Sequence, residues 1–144
     1  MIVPGIPTRL SVLLPANQEV WHTTVSRLLE PQGIQTVPAR SGREALRIVE
    51  SGTVHVCVLD NEMPQLGGMQ IIRRMADMAT RPPTILLADR LNNHLLQEAL
   101  GMDVFSVLSK PVDLNQFLDS LARVIRRFYE SKWSGVDAGP ELHS

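Results

Sequence analysis

Five short apolar runs alternate with five longer segments of helical period, and no other feature of this chain limits its fold as strongly. The runs cover residues 10–14, 34–37, 54–59, 85–87 and 104–108. Each has strand length, and most are rich in β-branched residues, which suit a pleated and partly buried surface. Three are apolar nearly throughout, as strands covered on both faces of a parallel sheet should be.

The intervening segments repeat their apolar residues at helical spacing. Trp21, Val25, Leu28 and Leu29 fall at i, i+4, i+7 and i+8, and Pro31 and Gly33 stop the helix. Ser41 and Glu44 have the spacing of a capping box, ahead of inward-facing Ala45, Leu46 and Val49. Met69, Ile72, Met75 and Ala76 form a third stripe, broken at Pro82 and Pro83. Leu91, Leu95, Leu96, Ala99 and Leu100 form a fourth, which stops near Gly101. The fifth starts at an expected Asp113 cap and runs through Leu114, Phe117, Leu118, Leu121, Val124, Ile125 and Phe128. All five stripes are expected to face the core.

Strand and helix in strict alternation predict a parallel sheet with right-handed crossovers and helices on both faces. Sites in such sheets lie beyond the carboxyl ends of the strands, near the point where strand order reverses. The informative residues should therefore stand just after each strand. A length of 144 residues suits one domain, and a net charge of −1 offers no bulk attraction to nucleic acid or an anionic membrane. No apolar run approaches the ~20 residues that span a bilayer. Residues 1–7 lack a basic n-region and an apolar h-region, so they read as an N-terminal extension and not a signal peptide. The lone Cys57 lies in an apolar run and reads as a small buried hydrophobe, which fits a reducing compartment. The expectation is a cytoplasmic protein with one domain over 8–133, followed by a disordered Gly-, Ser- and Pro-containing tail over 134–144.

Two strand ends carry the chemistry. The third is followed by Asp60-Asn61-Glu62-Met63-Pro64 and then Gly67-Gly68, and the fifth by Ser109-Lys110-Pro111. Lys110 stands out because the basic residues of this chain are otherwise Arg, with Lys132 the other exception. Together, at these strand ends, the two fragments resemble the receiver domain of response regulators over about residues 8–130. The resemblance implies a flavodoxin-like fold, a (βα)5 unit with strand order 2-1-3-4-5. It implies that Asp60 accepts a phosphoryl group from a sensor histidine kinase and that Lys110 contacts the phosphoryl oxygens. It also implies a cis bond between Lys110 and Pro111, and explains Gly68 as loop geometry.

Three departures from the family pattern bear on that chemistry. A carboxylate attacking a phosphoryl group depends on charge neutralisation, chiefly by Mg²⁺, which wants oxygen ligands in near-octahedral array. The family's acidic pair after the first strand falls on Pro15 and Ala16, with Asn17 following, and neither Pro nor Ala can ligate through its side chain. The hydroxyl expected after the fourth strand falls on Ala88, with Asp89 next to it. The aromatic expected in the fifth strand falls on Val107; with Phe105 two residues upstream, either it is missing or the register is shifted.

Asp60 and Glu62 remain as candidate metal ligands, so the expected cofactor is none, or weakly bound Mg²⁺. Asp60, Glu62 and Asp89 form an alternative acid cluster for a divalent ion. His22, His55, His94 and His143 are scattered, with no spacing of a zinc site. The expected function is signalling through protein contacts and not catalysis. The partner would be a sensor histidine kinase or another signalling protein, with a possible homodimer through the fourth helix, fifth strand and fifth helix. The alternatives are a conventional phospho-accepting receiver and a flavodoxin-like enzyme or ligand-binding protein.

Overall fold

The computed structural model describes residues 9–129. The expected extension at 1–7, the domain limits at 8 and 130–133, and the expected tail at 134–144 lie outside the described residues.

In chain order the elements are β1 (Leu10–Pro15), α1 (Glu19–Leu29), a 3-10 turn (Glu30–Gln32), β2 (Ile34–Ala39), α2 (Gly42–Glu50), β3 (Val56–Asp60), α3 (Gly68–Met75), β4 (Thr84–Ala88), α4 (Asn93–Gly101), β5 (Ser106–Ser109) and α5 (Leu114–Phe128). The five strands pair in parallel in the order β2-β1-β3-β4-β5, so the flavodoxin-like order is borne out.

The strand period of two explains the two helical layers. Leu10, Val12 and Leu14 of β1, Val56 and Val58 of β3, and Ile85 and Leu87 of β4 pack with α1 and α5, through Val25, Leu29, Phe117, Leu121, Val124 and Ile125. Their neighbours Leu13, Cys57, Leu59 and Leu86 point the other way, onto Ala45 and Val49 of α2, Met69, Ile71 and Ile72 of α3, and Ala99 of α4. β1, β3 and β4 are buried along their whole length, which is why those three runs carry no polar alternation. The outer strand β2 tolerates Pro38, whose missing N–H costs nothing on an edge.

Helix ends are set by side chains. Asp113 Oδ1 accepts from Gln116 N–H at 2.9 Å, as the sequence predicts. Ser41 Oγ accepts from Glu44 N–H at 3.2 Å, but Glu44 Oε1 reaches back to Arg40 N–H, one residue beyond the reciprocal partner of a capping box. Asn92 caps α4, so Leu91 lies in the loop before it and is 38% exposed. Four further stripe residues depart from the expected core. Leu28 and Leu100 sit on the outer flanks of their helices, Ala76 follows the last turn of α3, and Phe128 ends α5; all four are exposed. Val54 and Val104 are buried but precede the ladder bonds, so β3 and β5 begin later than their apolar runs. No helix among the described residues is long and apolar enough to cross a membrane.

Candidate functional site

Parallel strands bring their carboxyl ends to one edge, so residues far apart in sequence meet there. Asp60 is the last residue of β3, Pro15 of β1 and Ala88 of β4, while Lys110 follows the last residue of β5. The register pins them: Leu86 pairs with Val107, Ala88 with Ser109, and Lys110 N–H bonds Ala88 O at 2.9 Å. The Lys110–Pro111 bond is cis, as the resemblance implies.

Asp60 is 3% exposed. A carboxylate this deeply buried needs partners, and it has two, which make three short contacts. Lys110 Nζ lies 2.8 Å from Oδ1 and 2.9 Å from Oδ2, and Glu62 N–H donates to Oδ1 at 2.8 Å. The same ammonium lies 2.9 Å from Glu62 Oε1. Burial drives the Lys110 pKa down, but its hydrogen bonds to Asp60 and Glu62 and their negative charge outweigh this, so it stands above the usual 10.5. Glu62 Oε1 also accepts the backbone N–H of Asp89 at 2.8 Å.

Close backbone approach lets α3 start beside this pair. A Cβ on Gly68 would lie 2.7 Å from Leu86 Cδ1 and 3.2 Å from the Asp60 carbonyl. Gly67 N–H is capped by Gln70 Oε1 at 2.9 Å, and Asn61 Oδ1 accepts from Met69 N–H at 3.2 Å.

A cleft of about 310 Å³ opens over the strand ends, with Pro15, Asn17, Trp21, Asp60, Asp89 and Lys110 among its walls. Pro15 thus shares the cleft with Asp60; Ala16 is buried at the strand end and does not line it. Trp21 was not legible as a wall residue, because its spacing marked it as core. Its indole packs edge-on to Phe117 at 5.3 Å, and the ring is large enough to serve both. A cleft of about 380 Å³ at the opposite end of the sheet holds no comparable carboxylate–lysine pair among the described residues; its charged residues there, Arg81 and Asp103, bridge at 3.2 Å near the surface. The larger cleft is therefore not the chemical one.

The register question at β5 has a clear answer. Lys110 reaches Asp60, so the register is not shifted, and Val107 stands where the aromatic was expected. Phe105 precedes the strand and packs on α5, with its ring 6.2 Å from that of Phe128. Among the described residues no group of three or more His, Cys, Asp and Glu side chains is placed to hold a metal ion.

A family profile described as "Response regulator receiver domain" matches residues 12–122. The chain belongs to that family. Regulatory protein AtoC of Escherichia coli K12 is 26% identical over 129 residues, covering 83% of this receiver and 28% of AtoC. Among solved structures, the signal receiver domain of an HD domain-containing protein from Pseudomonas fluorescens Pf-5 is 25% identical, with a TM-score of 0.73 over 88% of this chain and 94% of that one. The receiver domain of the Francisella response regulator 1452 shares the fold at a TM-score of 0.75 and 23% identity, over 83% of this chain and 98% of that one. This receiver spans about three tenths of the length of the AtoC and Regulator of RpoS proteins it matches.

Proposed function

We propose that this receiver is an atypical one: it passes signals by protein contact, and Mg²⁺-dependent phosphorylation at Asp60 is weak or absent. The observation that carries the reading is the end of β1, where Pro15 lines the cleft beside Asp60 and Ala16 follows. The fit to Mg²⁺ is poor. Neither side chain holds an oxygen, Asp60 and Glu62 are both engaged by the Lys110 ammonium, and Ala88 offers no hydroxyl. In this reading Asp60 and Lys110 form a neutralised pair that keeps the strand ends together, and Asp60 and Glu62 bind no metal tightly.

Partners are then read from exposed apolar groups. Leu91 and Leu100 flank α4, and Phe128 ends α5 beside Arg127, whose guanidinium lies 5.5 Å over its ring. This face would meet a sensor histidine kinase, another signalling protein or a second copy, in the cytoplasm, with no catalysis of its own.

One observation favours the conventional alternative: Asp60 and Lys110 are both present and in contact. There an Asp60 oxygen would bond to phosphorus as the donor's bond to phosphorus breaks and its electron pair leaves with the imidazole nitrogen of a phosphohistidine, or with the acetate oxygen of acetyl phosphate. Incubating the full chain with acetyl phosphate and Mg²⁺, with intact-mass detection and Asp60→Asn as the blank, separates the two. The proposal expects no phosphoryl adduct under conditions that label an acid-pair receiver; stoichiometric labelling at Asp60 contradicts it.

A further inference from the structure

We infer that Glu62 is a positioning residue that does, without modification, what a phosphoryl group on Asp60 would do: it holds the loop after β4 to Lys110. The inference rests on the reading above, in which this receiver carries little or no phosphate, and it assigns that pocket its regulation.

One oxygen makes the bridge. Glu62 Oε1 accepts from Lys110 Nζ at 2.9 Å and from Asp89 N–H at 2.8 Å. Its own N–H is fixed by Asp60 Oδ1 at 2.8 Å, so the side chain leaves from a defined point. The ends of β3, β4 and β5 are thereby tied through one carboxylate. A phosphoryl group on Asp60 would need the same anchors: the ammonium of Lys110 and a donor at the end of β4. Ala88 supplies no hydroxyl, which leaves backbone N–H groups there, and Asp89 N–H is already taken.

An ordinary solvated glutamate would make a single loose ion pair worth little. Glu62 is itself 37% exposed, but its partner ammonium is only 10% exposed and its second partner is a backbone donor, which cannot swing away as a side chain can. Charge adds exclusivity, since Glu62 and a phosphoryl group would compete for one ammonium. The consequence reaches α4. The loop of residues 89–92 ends at the Asn92 cap, whose Oδ1 accepts from Leu95 N–H at 2.8 Å. Holding Asp89 therefore restrains the chain three residues ahead of that cap, and presents the α4 face in one arrangement with no phosphate required.

The test is amide hydrogen exchange by NMR on the full chain, comparing wild type with Glu62→Ala, Glu62→Asp and Glu62→Gln. Glu62→Ala removes the acceptor and Glu62→Asp shortens its reach while keeping the charge. Both should speed exchange at Asp89 about tenfold or more, and shift the Leu95 and Leu96 amides, while Val12 and Val58 in the sheet stay as they were. Glu62→Gln keeps an oxygen of the same reach, and should retain part of the protection. Exchange at Asp89 within about twofold of wild type in Glu62→Ala and Glu62→Asp overturns the inference, as does equal loss at all sites in all three variants. Phosphoryl labelling of the wild type would instead defeat the reading on which it rests, and would leave the measured tether at Asp89 intact.

Discussion

Removing the Lys110 ammonium while keeping its bulk, as in Lys110→Met, should expose how much the pocket depends on one charge. Asp60 is 4% exposed at its side chain and Lys110 10%, so water from the cleft replaces only a small part of the lost partner. Breaking a buried pair from one side costs about 3–5 kcal/mol, because it strands the other charge. Glu62 N–H still bonds Asp60 Oδ1 and offsets part of this, which places the expected loss near the low end, about 3 kcal/mol. With a urea dependence of about 1.5 kcal/mol per M, the unfolding midpoint should fall by about 2 M. The companion Asp60→Asn should cost less, about 1–2 kcal/mol, because Lys110 keeps Glu62 at 2.9 Å. In the double variant neither charge is left stranded, so its loss should be smaller than that of Lys110→Met alone. Equilibrium urea unfolding of the three variants at pH 7 gives the cycle. A Lys110→Met protein within about 1 kcal/mol of wild type, or strictly additive losses, would refute the claim that Asp60 depends on this ammonium.

Two further outcomes follow from other parts of the fold. His55 Nδ1 accepts from Ser11 N–H at 3.0 Å, and burial lowers its pKa from 6.5; the unfolded chain therefore takes the proton first. Stability should hold above about pH 6.5 and fall as pH drops through the lowered folded value, and His55→Gln should flatten part of that slope in melts from pH 7.5 to 5, with His22, also lowered by burial, supplying the rest. A Cβ on Gly42 would lie 1.7 Å from Leu66 O, so Gly42→Ala should cost about 3 kcal/mol and lower Tm by roughly 10 °C, while Gly101→Ala, with nothing within 4 Å, should not destabilise.

The fold was legible because burial writes itself into periodicity. β1, β3 and β4 are covered on both faces and read as runs that are apolar nearly throughout. Helix stripes overshot where a residue had the right chemistry at the wrong angle or beyond a cap, as at Leu28, Leu91 and Leu100. Asp60 and Lys110 were legible because strand ends converge whatever the loops do. The double use of Glu62 was not, since a hydrogen bond from Asp89 N–H, 27 residues along the chain, leaves no mark in spacing. Trp21 was hidden in the same way, its cleft-lining role masked by its place in the α1 stripe.

The central claim of the proposal is that the side-chain oxygens missing at Pro15, Ala16 and Ala88 leave Asp60 with weak or absent Mg²⁺-dependent phosphorylation. The most direct measurement is thermal unfolding of wild type and the triple variant Pro15→Asp, Ala16→Asp, Ala88→Thr, each with and without millimolar Mg²⁺. The acid at position 15 places like charge in the cleft with Asp60 and the one at position 16 adds a buried carboxylate, so the triple variant should melt below wild type without cation and rise when Mg²⁺ is added. Wild type should respond little. A wild-type protein stabilised by Mg²⁺ through Asp60, or a folded triple variant indifferent to it, would contradict the account.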